Sequence, residues 1–468
     1  IAALGETGAV AALGALIGVF FGFFAHRSRF CLRSAVIEFA RGTHEGKLTV
    51  WLFTFASAVL LTQAFILLGW LNVGDARQLS ARGSLSGAAI GGAMFGAGMI
   101  LARGCSSRLL VLAAQGNLRA LLSGLVFAVT AQSALSGLLS PWRLSMASWW
   151  TVDGGAARDV LALTGLGHGG GLLFGAVWLA AALVWARRQR VRFWSWFGAS
   201  GVGVMVALAW LATYRISKLS FDAVLPIQSL SFTGPAADTL MFVLSPPGQA
   251  WKFDLGLVPG VFAGSLVSAL LWREFKLEGF QGGQAMRRYI AGAILMGFGG
   301  MLAGGCAVGA GVSGAAVFTL TSFVTLSTIW AGAFSFAMIR SSFSSAITFA
   351  ASAAESETAI IPPRSPAPVA ISSPRVRASR NKVSSSYAPA AHRAVSSPNE
   401  WPIRPAGLTP NFSRALNEPI ETAPIAGWAT RVSRNASSWA FFASSSNATG
   451  GYVSSPSRFP SISSPRVT

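Results

Sequence analysis

Cys31 in "RSRFCLRSA", Cys105 in "GMILARGCSSR" and Cys306 in "GGMLAGGCAVG" are the side chains of this sequence best suited to chemistry. A thiol brings a weak S–H donor, a polarizable sulfur and, once ionised, a nucleophile or metal ligand. None of the three belongs to a C-x-x-C pair, and His26, His44, His168 and His392 are scattered. The four-ligand spacing of a zinc site is therefore missing, and no metal or other cofactor is expected. A single cysteine in an apolar helix is ordinarily a small hydrophobic filler. The surroundings of Cys105 and Cys306 argue for more. Each follows a glycine, Gly104 or Gly305, in a run of small residues where backbones can approach closely or a helix can break. Breaks at membrane depth are tolerated only where they are packed in protein or line a cavity.

Further candidates lie close to these thiols. Arg103 and Arg108 flank Cys105. An arginine at membrane depth is costly, so each either serves an anion's path or snorkels to a headgroup. Asn117 precedes a helix expected from Leu118, either as a plain cap or as part of a positive helix end turned towards an anion. After Cys306, the glycines of "AVGAGVSG" read as an unwound stretch. Around Cys31, Arg27, Arg29 and Arg33 either act on the thiol or simply mark topology.

The elements that must hold these residues are membrane helices. Of the 468 residues, 52% are hydrophobic and only 11% charged, well below the quarter usual in soluble domains, and mean hydropathy is +0.54. A span takes about 20 mostly apolar residues. Nine runs qualify, at about 8–26, 49–72, 85–103, 118–140, 168–186, 194–214, 255–272, 288–305 and 315–339. The fold expected is all-α and polytopic. The first run is not read as a cleaved signal, because its arginines follow it instead of leading it. Net charge is +20; positive-inside loops and a basic tail account for it, and an anionic solute would be drawn by it. The basic residues sit in short loops without a separate basic domain, which argues against nucleic acid. The membrane domain is expected over 1–340. From 341 to 468 Ser, Pro, Ala and Arg dominate and "SSP" recurs, a low-complexity tail expected to be disordered or not native.

The loop "RRQRVR" (187–192) carries four arginines and no acid, which places it in the cytoplasm. Counting outward puts the loops at 27–48 and 273–288 on the same side. A shift of 201 residues aligns Gly96 with Gly297, Gly98 with Gly299, and Gly104–Cys105 with Gly305–Cys306. The first copy runs inward and the second outward, as in the inverted repeats of many transporters. The halves are about 8–186 and 194–340. Cys31 has only a loose counterpart in "SLSFTGPAAD" (229–238), where Thr233 stands.

Together, "RSRFCLRSA", "GAGMILARGCSSRLL…QGNLRALL" and "LEGFQGGQAMRRYIAGAILMGFGGMLAGGCAVGAGVSG" resemble the YeeE/YedE family of membrane transporters over about residues 10–340. The resemblance implies an hourglass-shaped helical fold with pseudo-symmetric halves and short helices dipping into the membrane. It implies import of thiosulfate across the bacterial inner membrane, with no enzymatic activity. By motif, the cysteines lining the family's path correspond to Cys31, Cys105 and Cys306. Arg103, Gly104, Asn117 and Gly305 are the supporting candidates that the residues themselves offer. It further implies a separate cytosolic TusA-like sulfurtransferase as partner, besides the lipid around the spans. Thiosulfate is a dianion with a soft terminal sulfur, and neutral thiols in series would contact it weakly enough to release it. Other sulfur or selenium species suit the same path. A membrane thiol oxidoreductase is the rival reading, and a Cys105–Cys306 disulfide would be its mark. A scaffold would have no need of duplicated Gly-Cys segments.

Overall fold

In lipid a backbone must satisfy its own hydrogen bonds, so long apolar runs become helices. In the computed structural model the described residues are 5–43, 45–220, 225–280 and 283–358, with 284 and 340–358 in backbone only. Their helices, in chain order, begin with α1 (Gly5–Ser28), α2 (Leu32–Arg41), α3 (Lys47–Leu67) and α4 (Arg77–Ser80). There follow α5 (Leu85–Leu101), α6 (Ser106–Ala114), α7 (Leu118–Ser136), α8 (Ser140–Ser148), α9 (Val160–Thr164) and α10 (Gly167–Gln189). The remainder are α11 (Phe193–Leu219), α12 (Thr233–Leu244), α13 (Phe253–Leu271), α14 (Gly283–Leu302), α15 (Gly314–Ala316) and α16 (Leu320–Thr358). A π-helical segment, Ala307–Ser313, leads into α15. The one β element among the described residues is a two-residue antiparallel ladder, β1 (Gly83–Ser84) with β2 (Thr151–Val152). Nine of the described helical segments are long and apolar enough to cross a membrane, and three of them run through a break: α1 into α2, α5 into α6, and α14 into α15.

Glycine lets these helices meet at backbone distance. Gly14, Gly18 and Gly22 of α1 face Gly256, Gly260 and Gly264 of α13, running parallel, and a Cβ at Gly264 would lie 1.9 Å from the Val19 carbonyl oxygen. In α3 and α11, also parallel, Thr54 Oγ1 donates to the Ala199 carbonyl at 2.9 Å and Gly203 packs on Ser57. The pair α5 and α14 crosses antiparallel: Gly91 meets Gly299 and Ala303, whereas Gly98 meets Gly292 and Met296. Each of these two packs in turn against one more helix, α5 on α16 through Gly96 and α14 on α7 through Gly297.

Loops brace the bundle. Gly116, at φ +95°, brings the α6–α7 connection against Lys276, and Glu278 N donates to the Gly116 carbonyl at 3.0 Å. Trp142, Trp149 and Trp150, on α8 and just beyond it, are each about two-thirds exposed, as suits residues that settle at a headgroup layer. The low-complexity segment lies, from 359 on, outside the described residues; the backbone of 341–358 continues α16.

Candidate functional site

The same local structure leads into each of the three cysteines. A helix stops with a residue in the left-handed region: Arg29 (φ 53°), Arg103 (φ 57°) or Gly304 (φ 79°). The next N–H reaches back to close the helix end, Phe30 N to Ala25 O (3.1 Å), Gly104 N to Met99 O (3.2 Å), and Gly305 N to Gly300 O (2.8 Å). This is the Schellman closure. The chain then extends for one residue, which is Cys31, Cys105 or Cys306, and that cysteine is the N-cap of the next helix. Its carbonyl accepts the first helical bond, from Ala35 (3.3 Å), Leu109 (2.9 Å) or Ala310 (2.8 Å). All three thiols are thus held at helix breaks inside the bundle, at most 7% exposed.

Two of them come together. Cys31 and Cys105 face each other closely enough to interact directly. Cys31 is also beside Ser34, and Cys105 Sγ lies 3.4 Å from Ser107 Oγ. Arg108, one turn into α6, stands near enough for its charge to act on both thiols. Its Nη1 is buried with no hydrogen-bond partner, and so is Ser106 Oγ beside Cys105. Behind them His26 is buried, its Nδ1 2.8 Å from Ser268 Oγ and its Nε2 3.4 Å from Glu274 Oε2. Arg29 Nη2 is 3.9 Å from the other oxygen of Glu274. Arg27 stacks instead on Trp272, 4.1 Å from the ring centroid.

Cys306 stands apart. It follows α14 where Leu302 crosses Gly87 near the start of α5, whereas Cys105 follows the other end of α5. The 17 residues of α5 cover roughly 25 Å, so the Cys105–Cys306 disulfide is far outside the geometry a disulfide permits. Cys306 Sγ accepts from Gly309 N at 3.3 Å. The stretch after it is not unwound, as its glycines had implied. It closes as a π-helix because it is packed and pinned: Trp210 Nε1 donates to Ser313 O (3.2 Å) and Ser313 Oγ to Leu230 O (2.8 Å).

The supporting candidates separate. Arg103 is exposed, occupies the left-handed position of the turn and has its guanidinium 6.0 Å from the Tyr289 ring. Gly104 is buried with room for a Cβ, its nearest neighbours being side chains at 3.5 Å, while a Cβ on Gly305 would meet Ala310 N at 2.8 Å. Asn117 caps α7, accepting from Ala120 N at 3.0 Å, and its Nδ2 donates to Glu278 Oε2 at 2.5 Å. Arg119 reaches the same oxygen at 2.9 Å. Asn117 therefore ties two loops together. Arg108, Ser106 and the Cys31–Cys105 contact are what sequence reasoning undervalued. The i, i+3 spacing of Cys105 and Arg108 was the available signal.

A bundle of spans broken three times at buried, chemically distinctive side chains is the build of a membrane transporter. The family model described as Sulphur transport matches residues 27–335, and the chain belongs to that family. The thiosulfate transporter TsuA of Spirochaeta thermophila is 28% identical over 324 residues, 66% of this chain and 93% of that protein. The thiosulfate transporter TsuA of Escherichia coli is 24% identical over 344 residues, 67% of this chain and 90% of that protein.

Proposed function

We propose that the chain imports thiosulfate across the bacterial inner membrane, handing it from Cys306 to the Cys31–Cys105 pair through weak S–H contacts. The observation that carries this reading is the threefold recurrence of one Schellman turn ending on a buried, capping cysteine. A metal site would gather its ligands, whereas this bundle sets its thiols at two stations. Gly198, near the start of α11 and just after the "RRQRVR" loop, packs on Ser28 at the end of α1. The Cys31–Cys105 station therefore belongs to the arginine-rich, cytoplasmic side, and Cys306 to the outer side. A TusA-like sulfurtransferase would meet the first of these.

The two halves, about 8–186 and 194–340, act as an inverted repeat. Paired glycines support this: Gly98 packs on Gly292 and Met296, and its mate Gly299 packs on Gly91 and Phe95, each 201 positions away from its counterpart. Gly96 against Ile329 and Ala333 is matched by Gly297 against Phe127 and Ala131. In the second half Thr233, the first residue of α12, occupies the place corresponding to the Cys31–Leu32 start of α2. Its Oγ1 is buried and without a hydrogen-bond partner.

Cells lacking their own thiosulfate uptake provide the test. Cys105→Ala and Cys306→Ala should each reduce uptake of radiolabelled thiosulfate to that of empty cells, at unchanged protein level in the membrane. Uptake surviving in both variants refutes the relay. Excess sulfite, polysulfide or selenite in the wild-type assay identifies the cargo; a competitor stronger than unlabelled thiosulfate reassigns it.

A further inference from the structure

The Cys31–Cys105 station holds more polar capacity than its own contacts use. Arg108 brings a full positive charge, and none of its nitrogens lies within 4 Å of a carboxylate among the described residues. Its Nη1 is buried and unpartnered, and so is the hydroxyl of Ser106, which is 7% exposed. Both follow Cys105 at the opening of α6, where the first N–H groups have no helical acceptor and that of Arg108 turns to the Cys105 sulfur. A buried guanidinium left in this state is expensive, and a hydroxyl and a helix start beside it add to the unmet demand. The corresponding position in the second half is Gly309, whose N–H serves Cys306 Sγ. The charge is thus placed at one station and missing from the other.

We infer that Arg108 and Ser106 form an oxyanion subsite that grips the sulfonate end of the cargo, while Cys31 and Cys105 touch its terminal sulfur. This inference rests on the transport reading above and sharpens it. The guanidinium fork matches two oxygens of a tetrahedral sulfonate. The Ser106 hydroxyl donates to the third, and the thiols meet the soft end. Such a station recognises both ends of a sulfur-terminated oxyanion. A plain thiol such as cysteine, or sulfide itself, fills only half of it.

Thiol labelling tests the subsite separately from transport. With Cys306→Ser as background, Cys31 and Cys105 in full-length protein in nanodiscs are reacted with an anionic, sulfonate-bearing methanethiosulfonate reagent or its cationic trimethylammonium analogue. The parent should react faster with the anionic reagent, by at least about tenfold, given one unpaired charge a few ångströms from the sulfurs. Arg108→Gln should erase that preference, and Arg108→Lys should keep it while losing the protection thiosulfate gives the parent, since an ammonium cannot fork. The inference falls if the preference persists in Arg108→Gln, if it is lost equally in Arg108→Lys, or if neither reagent reaches the thiols of the parent. Uptake by the wild type, measured alongside, separates the two claims. A protein that shows the preference yet imports no thiosulfate keeps the subsite and loses the transport reading.

Discussion

Gly264→Ala adds a single methyl group to the α1–α13 contact and should damage both stability and the cysteine station. Its Cβ would lie 1.9 Å from Val19 O and 2.7 Å from Val19 Cα, both backbone atoms of α1. No rotamer change can make room, so the helices must part by about 1.5 Å to restore an ordinary contact near 3.4 Å. Overpacking of this kind costs about 1–3 kcal/mol, and backbone against backbone puts it towards the upper end. Both helices end at the station: α1 in the turn before Cys31, and α13 three residues before Glu274, which with Ser268 clasps His26. Parting them should loosen the Cys31–Cys105 contact. The control is Gly124→Ala in α7, where nothing lies within 4 Å of the added carbon. There helix propensity alone acts, favouring alanine by about 0.5–1 kcal/mol. Thermal unfolding in detergent should show Gly264→Ala melting below the parent and Gly124→Ala level with it or above. Alkylation of Cys31 should be faster in the first variant only. A Gly264→Ala protein as stable as the parent would refute the claim that this seam is closed at backbone distance.

Oxidation with copper phenanthroline should join Cys31 to Cys105 but never Cys105 to Cys306, read as a mass shift in peptides from single-cysteine-deletion variants; α5 separates the latter pair by roughly 25 Å. Gly104→Ala should retain near-parental uptake and melting, whereas Gly305→Ala, clashing with Ala310 N, should lose both. Asn117→Ala should cost about 0.5–2 kcal/mol for the lost cap plus the tie to Glu278, seen as a lower melting temperature. Asn117→Asp keeps the cap but sets a carboxylate against Glu278, and should recover little. Arg158, which lies between the spans and is 7% exposed, donates to Ala81 O and Thr321 Oγ1, and its burial near Arg77 draws its guanidinium below the ordinary arginine value. Arg158→Met should destabilise by about 1–3 kcal/mol for the stranded Thr321 hydroxyl and Ala81 carbonyl.

The spans were legible in the sequence because bilayer thickness imposes a length of about 20 apolar residues whatever the packing. Tertiary partners were not. Gly14, Gly18 and Gly22 announce a smooth helix face by their spacing, yet nothing local says that its mate begins at Gly256. At the cysteines, Gly304 gave a visible clue to a left-handed turn, but Arg29 and Arg103 adopt the same conformation without glycine, against the usual steric preference. The identity of the turn was therefore hidden in two copies of three. Arg103 and Arg108 could not be told apart by composition. One lies in the turn and faces outward, and the other lies three residues past Cys105 on the next helix, so only the path of the chain distinguishes them. The glycines after Cys306 misled for a related reason. Glycine permits unwinding but does not demand it when Trp210 and Ser313 pin the backbone.

The difference between the two stations bears on the direction of transport. Moving a dianion towards a negative interior costs about 5 kcal/mol per 100 mV, at about 2.3 kcal/mol for each charge. A weak S–H contact is worth about 0.5–1 kcal/mol, so the thiols can select cargo but cannot offset that work. A fixed positive charge at the proposed inner station can lower the cost of arrival there, and Arg108 is the buried, unpaired charge in that position. It would equally hold the anion back from release. An inner station of this kind therefore works as an importer only if something on the cytoplasmic side removes the sulfur, and that requirement makes a sulfur-accepting partner mechanistically useful. Withdrawing such an acceptor should leave labelled thiosulfate bound at the Cys31–Cys105 station with net uptake stalled. Continued uptake without an acceptor would mean that an ion gradient, rather than consumption of the cargo, drives the cycle.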